Sequence, residues 1–148
     1  MVRSKFIINK MMGLTSMTDR EPTVVVVDDS ATSISLYRFS LEPLSIKFIG
    51  FKTPAEAMPY LQQHQPDLLF LDIIMPGMDG LTFLRRLREL SHQKNTRVIM
   101  VTSKDYAQDR SIAKQLGALE FLIKPLRFKE IRDIVTRYIN VNPSVNKP

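Results

Sequence analysis

Residues 68–80 read LLFLDIIMPGMDG: four large apolar side chains, a carboxylate, two isoleucines, and a break at Pro76 and Gly77. The unalternating run Leu68, Leu69, Phe70, Leu71 has the pattern of a strand buried on both faces, as in a parallel sheet covered by helices. Pro76 and Gly77 end regular pairing, which sets Asp72 at or near the carboxyl end of that strand. Ligands and chemistry collect along that edge in open α/β sheets. Taken alone, Asp72 reads equally well as a turn cap, because Asp is a common turn residue.

The rest of the chain repeats the pattern. Val24, Val25, Val26 and Val27 form a β-branched run that stops at Asp28, Asp29 and Ser30. Ser30 or Thr32 can cap a helix with Ile34, Tyr37, Leu41 and Leu44 at helical spacing, ended by Pro43. Residues 45–51, SIKFIGF, alternate as a strand, and Thr53-Pro54-Ala55-Glu56 is a capping box with Pro at the first helical position. Pro59 deletes a backbone hydrogen bond one turn later, so this second helix is expected to be short or kinked. His64 closes it as a partner for the helix dipole. Residues 81–90 place Phe83, Leu84, Leu87 and Leu90 on one face and Arg85, Arg86, Arg88 and Glu89 on the other.

A polar connection at 91–96 containing His92 leads to a fourth strand, Val98, Ile99, Met100 and Val101, that ends at Thr102 and Ser103. Residues 104–109 read as a charged loop, and Ile112, Ala113 and Leu116 as a short helix stopped by Gly117. A fifth strand over 119–123 ends at Lys124-Pro125, and Phe128, Ile131, Val135 and Tyr138 write a last helix. Five strands alternating with helices imply an α/β fold: a doubly wound, five-stranded parallel sheet with helices on both faces. Such a sheet gathers Asp28, Asp29, Asp72, Thr102, Ser103 and Lys124 on one edge.

Length and composition bound what this edge can serve. At 148 residues and 44% hydrophobic content the chain suits one domain, expected over 23–140 between a flexible leader (1–22) and a tail (141–148). A helix over 6–12 is the alternative for the leader. No segment reaches the roughly 20 apolar residues of a membrane span, and no signal peptide is evident, so a cytoplasmic protein without membrane insertion is expected. The absence of cysteine and the two isolated histidines, His64 and His92, exclude thiolate and zinc constellations and leave oxygen ligands. The formal charge is +6, yet residues 23–125 carry twelve basic and eleven acidic side chains, so the excess lies in the two ends. Nucleic acid is therefore not the expected partner.

Three carboxylates brought together repel, and a hard divalent cation such as Mg²⁺ relieves that repulsion. A lysine and a threonine hydroxyl beside them suit phosphoryl oxygens, so the cluster fits phosphoryl transfer with Asp72 as nucleophile. No glycine-rich nucleotide loop accompanies it, which disfavours bound ATP as the immediate donor.

Asp28-Asp29, the run from Asp72 through Gly80, Thr102-Ser103 and Lys124-Pro125 together resemble the signature of response-regulator receiver domains, the CheY-like family of two-component signalling, across about residues 23–140. The resemblance implies a flavodoxin-like sheet and a phosphoryl group accepted by Asp72 from a sensor histidine kinase or histidine phosphotransfer protein. It further implies Mg²⁺ held by Asp28, Asp29, Asp72 and the backbone carbonyl of Ile74, with Thr102 and Lys124 on the phosphoryl oxygens. It also implies a cis Lys124-Pro125 bond and a switch through Thr102 and the aromatic Phe121, where Phe lacks the hydroxyl of a hydrogen-bonded switch and leaves a packing one open.

Ile74 offers no polar side chain to position attacking water and Lys104 brings a cation, so a long-lived acyl phosphate is expected. Only about eight residues follow the last helix, so a stand-alone receiver is expected. Its output would be a switched surface on the last two helices and the strand between them, where Lys114, Lys129, Arg132 and Arg137 favour an acidic protein target. The alternatives are a phosphorelay intermediate, a Mg²⁺-dependent aspartyl phosphatase, against which Ile74 stands where such enzymes carry a second Asp, and a non-phosphorylated interaction module.

Overall fold

Four valines in succession, each 0–1% exposed, make the first strand the spine of the molecule. The computed structural model describes residues 20–141 and Pro143. It contains β1 (Thr23–Val27), α1 (Ala31–Leu41), β2 (Lys47–Phe51), α2 (Pro54–Gln63) and β3 (Leu68–Asp72). These are followed by α3 (Gly80–Glu89), a 3₁₀ turn (Ser91–Gln93), β4 (Val98–Thr102), α4 (Ala107–Gln115), β5 (Glu120–Ile123) and α5 (Phe128–Tyr138). All strand pairings are parallel, in the order β2-β1-β3-β4-β5. The leader expected over 1–22 and the tail over 141–148 lie almost entirely outside the described residues, as does the alternative helix over 6–12.

Strand parity builds two apolar layers. Val24, Val26, Leu68, Phe70, Ile99 and Val101 face α1 and α5 through Ile34, Tyr37, Ile131, Ile134 and Val135. Val25, Val27, Leu69, Leu71, Val98 and Met100 face the other way, onto Ala57, Leu61, Phe83, Leu84, Leu87 and Ala113 of α2, α3 and α4. Covering both faces explains why the three central strands carry no polar alternation. The edge strands β2 and β5 are only half-buried, and their sequences are correspondingly more mixed.

Ser30 caps α1 by accepting from Ser33 N–H, Thr53 caps α2 by accepting from Glu56 N–H, and Asp79 caps α3 by accepting from Thr82 N–H. Helix α2 runs ten residues with Pro59 inside it, and His64 ends it with its ring stacked on Tyr60 at 4.5 Å. Helix α4 begins at Ala107, inside the stretch read as a charged loop. Strand β5 begins at Glu120, leaving Leu119 exposed.

One expectation fails outright. Arg88 does not face solvent with Arg85 and Arg86: its guanidinium donates to the carbonyls of Gln93 (2.7 Å), Thr96 (2.8 Å) and Leu116 (2.9 Å). Gln93, fully buried, donates in turn to the carbonyls of Leu61 and His64, both at 2.7 Å. The connection read as polar linker is thus a buried polar knot that satisfies the carbonyls where α2 and α4 end.

Candidate functional site

The strand order turns at β1 and β3: β2 lies on one side of this pair, β4 and β5 on the other. The crossovers diverge there and leave a crevice at the carboxyl ends. Val27 pairs in register with Leu71, so the next residues along, Asp28 and Asp72, emerge side by side. Asp28 is 1% and Asp72 4% exposed, whereas Asp29 points outward. Carboxylate oxygens of all three lie within 4.8 Å of one another.

Lys124, the first residue past β5, reaches across this crevice. Its Nζ is 2.8 Å from Asp28 Oδ2 and 3.3 Å from Asp72 Oδ2. Its N–H donates to the carbonyl of Thr102 at 2.8 Å, and the Lys124-Pro125 peptide is cis. Thr102 ends β4 fully buried, its Oγ1 accepting from Lys104 N–H at 3.2 Å. Ile74, two residues past β3, turns its side chain to solvent at 46% exposure. Phe121 lies half-buried on β5 with the Arg110 guanidinium 4.6 Å above its ring, and Arg110 is also paired with Asp105 in the loop after Thr102.

The charges do not balance. One ammonium faces three carboxylates, and Asp72 is pushed up to about 6, first by burial and then by the charges of Asp28 and Asp29, against the pull of Lys124. For Lys124, burial disfavours the charged form, but the ion pairs with Asp28 and Asp72 outweigh it and hold the ammonium above its ordinary range. Asp28 Oδ1 accepts from Ser30 N–H at 2.9 Å. Its Oδ2 is buried and meets Lys124 as an ion pair without a hydrogen bond of good geometry. An under-satisfied buried oxygen, excess negative charge and an all-oxygen donor set fit a hard cation such as Mg²⁺.

For three contributors the sequence did not show the role. Gly80 lies so close to the strand end that a Cβ there would stand 2.1 Å from the Asp72 carbonyl oxygen, while its N–H donates to the Ile73 carbonyl at 2.8 Å. Ser33, on the first turn of α1, receives Lys124 Nζ at 3.4 Å. Arg110 pins the Phe121 ring. Their spacing carries faint signals at most: Gly80 follows Asp79 in GMDG, and Ser33 falls one turn after the cap Ser30.

Residues 24–136 match the family described as response regulator receiver domain. The chain is 36% identical over 111 residues to the cyclic di-GMP phosphodiesterase response regulator RpfG of Xanthomonas campestris, covering 74% of this chain and 29% of that protein. It is 30% identical over 103 residues to protein PilH of Pseudomonas aeruginosa, covering 70% of this chain and 85% of PilH. Among solved structures, the Vibrio cholerae chemotaxis protein CheY4 superposes with a TM-score of 0.75 at 24% identity, over 81% of this chain and 100% of CheY4. The chain thus spans less than a third of RpfG and most of PilH. Among the described residues no helix is long and apolar enough to cross a membrane.

Proposed function

We propose that this chain, which belongs to the response regulator receiver domain family, is a phosphorylation switch in which Asp72 accepts the phosphoryl group. The observation that carries this reading is Lys124 Nζ within ion-pair distance of both Asp28 and Asp72, three strand ends meeting at one acidic crevice. The donor is a phosphohistidine on a sensor histidine kinase or a histidine phosphotransfer protein. A carboxylate oxygen of Asp72 bonds to phosphorus as the N–P bond breaks. The electron pair of that bond returns to the imidazole, which takes a proton from water and leaves neutral.

Asp28, Asp29, Asp72 and the Ile74 carbonyl would hold Mg²⁺, which neutralises the carboxylates and the oxygens in transfer. Lys124 releases Asp72 and pairs with a phosphoryl oxygen. Thr102, whose Oγ1 accepts from Lys104 N–H, keeps its own proton to donate to a second one. Movement of Thr102 would carry the Asp105 loop, and with it Arg110 and the ring of Phe121, altering the surface made by α4, β5 and α5. Lys114, Lys129, Arg132 and Arg137 border that surface and favour an acidic protein target over nucleic acid.

The test is phosphoryl incorporation from acetyl phosphate with Mg²⁺, followed by intact mass. The wild type gains one phosphoryl group, Asp72→Asn none; equal labelling of the two proteins removes Asp72 as acceptor. A phosphoryl mimic, beryllofluoride with Mg²⁺, that leaves the amide NMR spectrum unchanged would favour a non-phosphorylated interaction module instead.

A further inference from the structure

The ammonium of Lys124 has three protons and meets three oxygens. Two belong to the acidic crevice, Asp28 Oδ2 at 2.8 Å and Asp72 Oδ2 at 3.3 Å. The third is Ser33 Oγ, at 3.4 Å, on a helix 91 residues away in sequence. This contact closes a ring. Ser30 N–H donates to Asp28 Oδ1 at 2.9 Å, and Ser33 N–H donates to Ser30 Oγ at 3.2 Å. Lys124 donates to Ser33 Oγ and returns to Asp28 through Oδ2.

Lysine carries its charge on a flexible four-carbon stem, and two carboxylates on one side would draw the ammonium wholly onto themselves. Ser33 holds it from the α1 side. Its hydroxyl is not needed as the helix cap, because Ser30 already supplies that. The half-buried Lys124 has its head fixed from two directions, by the strand ends and by the helix start.

We propose that Ser33 is a positioning residue for phosphoryl transfer, acting through Lys124. This rests on the reading of Asp72 as phosphoacceptor. As a phosphoryl group arrives, Lys124 exchanges the Asp72 oxygen for a phosphoryl oxygen. The hydrogen bond to Ser33 and the ion pair with Asp28 are kept, so the lysine turns about a fixed point instead of searching for its new partner. The tether also ties the start of α1 to the loop after β5.

The experiment measures maximal rates of phosphoryl incorporation from acetyl phosphate at saturating Mg²⁺ with the full chain. It compares the wild type with Ser33→Ala, Ser33→Thr, Lys124→Ala and the double variant Ser33→Ala/Lys124→Ala. Ser33→Ala is expected to lower the maximal rate about three- to tenfold, because the untethered ammonium reaches the phosphoryl oxygen from a wider spread of positions. The Mg²⁺ concentration for half-maximal rate stays within about twofold, because no metal-holding carboxylate is changed.

Ser33→Thr keeps the hydroxyl and restores the rate. In the Lys124→Ala background the serine substitution adds no further loss. A structural role would slow both backgrounds alike. As a direct readout, the two Hε protons of Lys124 are expected to be inequivalent in the wild type by NMR and to converge in Ser33→Ala. A wild-type rate in Ser33→Ala, or the same fractional loss with and without Lys124, overturns the proposal. Labelling of Asp72→Asn, or none of the wild type, overturns instead the phosphoacceptor reading on which it stands.

Discussion

Asp72→Asn removes one negative charge from a crevice that holds three against a single ammonium, so without a divalent cation it should stabilise the protein. In the folded chain Asp72 is pushed from its ordinary 3.8 to about 6, by burial first and by Asp28 and Asp29 next. At 1.36 kcal/mol per pH unit, that displacement corresponds to about 3 kcal/mol. The sign follows from proton counts. Between pH 4 and 6 the folded protein holds a proton on Asp72 that the unfolded chain has released, so folding stability falls as pH rises through that window. Above about 6 the loss is complete. Asparagine has no such charge to desolvate, so the variant escapes the loss.

The assay is urea unfolding followed by circular dichroism, in EDTA, at several pH values from 4 to 7.5. At pH 7.5 Asp72→Asn should unfold at higher urea, by up to about 1.5 M for an m-value near 2 kcal/mol/M. The difference should shrink towards zero as pH falls below 4. Mg²⁺ should narrow the difference, because a cation bound a hundredfold above its Kd adds about 2.7 kcal/mol to whichever protein holds it. The wild type, with all its carboxylates, gains more. An asparagine variant no more stable than the wild type at pH 7.5 in EDTA would refute the claim that Asp72 sits in uncompensated negative charge.

Three other substitutions probe separate parts of the argument. Gly80→Ala drives a methyl into the Asp72 carbonyl at 2.1 Å, and that atom is backbone with no rotamer to yield; a loss of about 1–3 kcal/mol in urea unfolding is expected, with slower phosphoryl incorporation. Arg88→Met keeps the packing of the stem but strips donors from the carbonyls of Gln93, Thr96 and Leu116, so stability should fall by about 2–4 kcal/mol while the labelling rate per folded molecule is kept. Ile74→Asn puts a polar group beside the acceptor, where the wild type has an exposed apolar one. It should shorten the acyl phosphate lifetime severalfold, and an unchanged hydrolysis rate would count against water access as the limit.

What the sequence disclosed and what it hid divide along a physical line. The five parallel strands and the acid cluster were legible because a sheet covered on both faces leaves its strands only one kind of position for polar residues, the ends. Asp28, Asp72, Thr102 and Lys124 each announce themselves that way, and parallel pairing does the rest. Arg88 was misread because helical periodicity places a side chain by angle, whereas this one is placed by carbonyls of a turn and of α4 that lack donors. The start of α4 was missed because Tyr106 offers no side-chain cap and Asp105, the nearest capping type, is engaged by Arg110. Ser33 and Gly80 owe their roles to approaches across the fold, which leave no periodic trace.

The charge inventory needs the same spatial correction. Four basic residues near α4 and α5 were read as the feature that would attract an acidic partner, yet two of them have carboxylates of their own: Lys129 pairs with Asp133 at 2.8 Å, and Arg137 with Glu120. The Glu120 carboxylate also accepts from the hydroxyl of Tyr138 at 2.6 Å, joining the last turn of α5 to the edge strand β5. Both basic side chains are more than half exposed, and pairs of that kind contribute less than about 1 kcal/mol. A partner carboxylate can therefore displace the internal one at little cost and gain a preformed orientation for the arginine. Because Glu120 stands next to Phe121 on β5, exchange at Arg137 would act on the strand whose aromatic ring Arg110 covers. The pairing lowers the long-range attraction of this face for the acidic partner proposed above, so that such a partner would be recognised by local exchange of carboxylates.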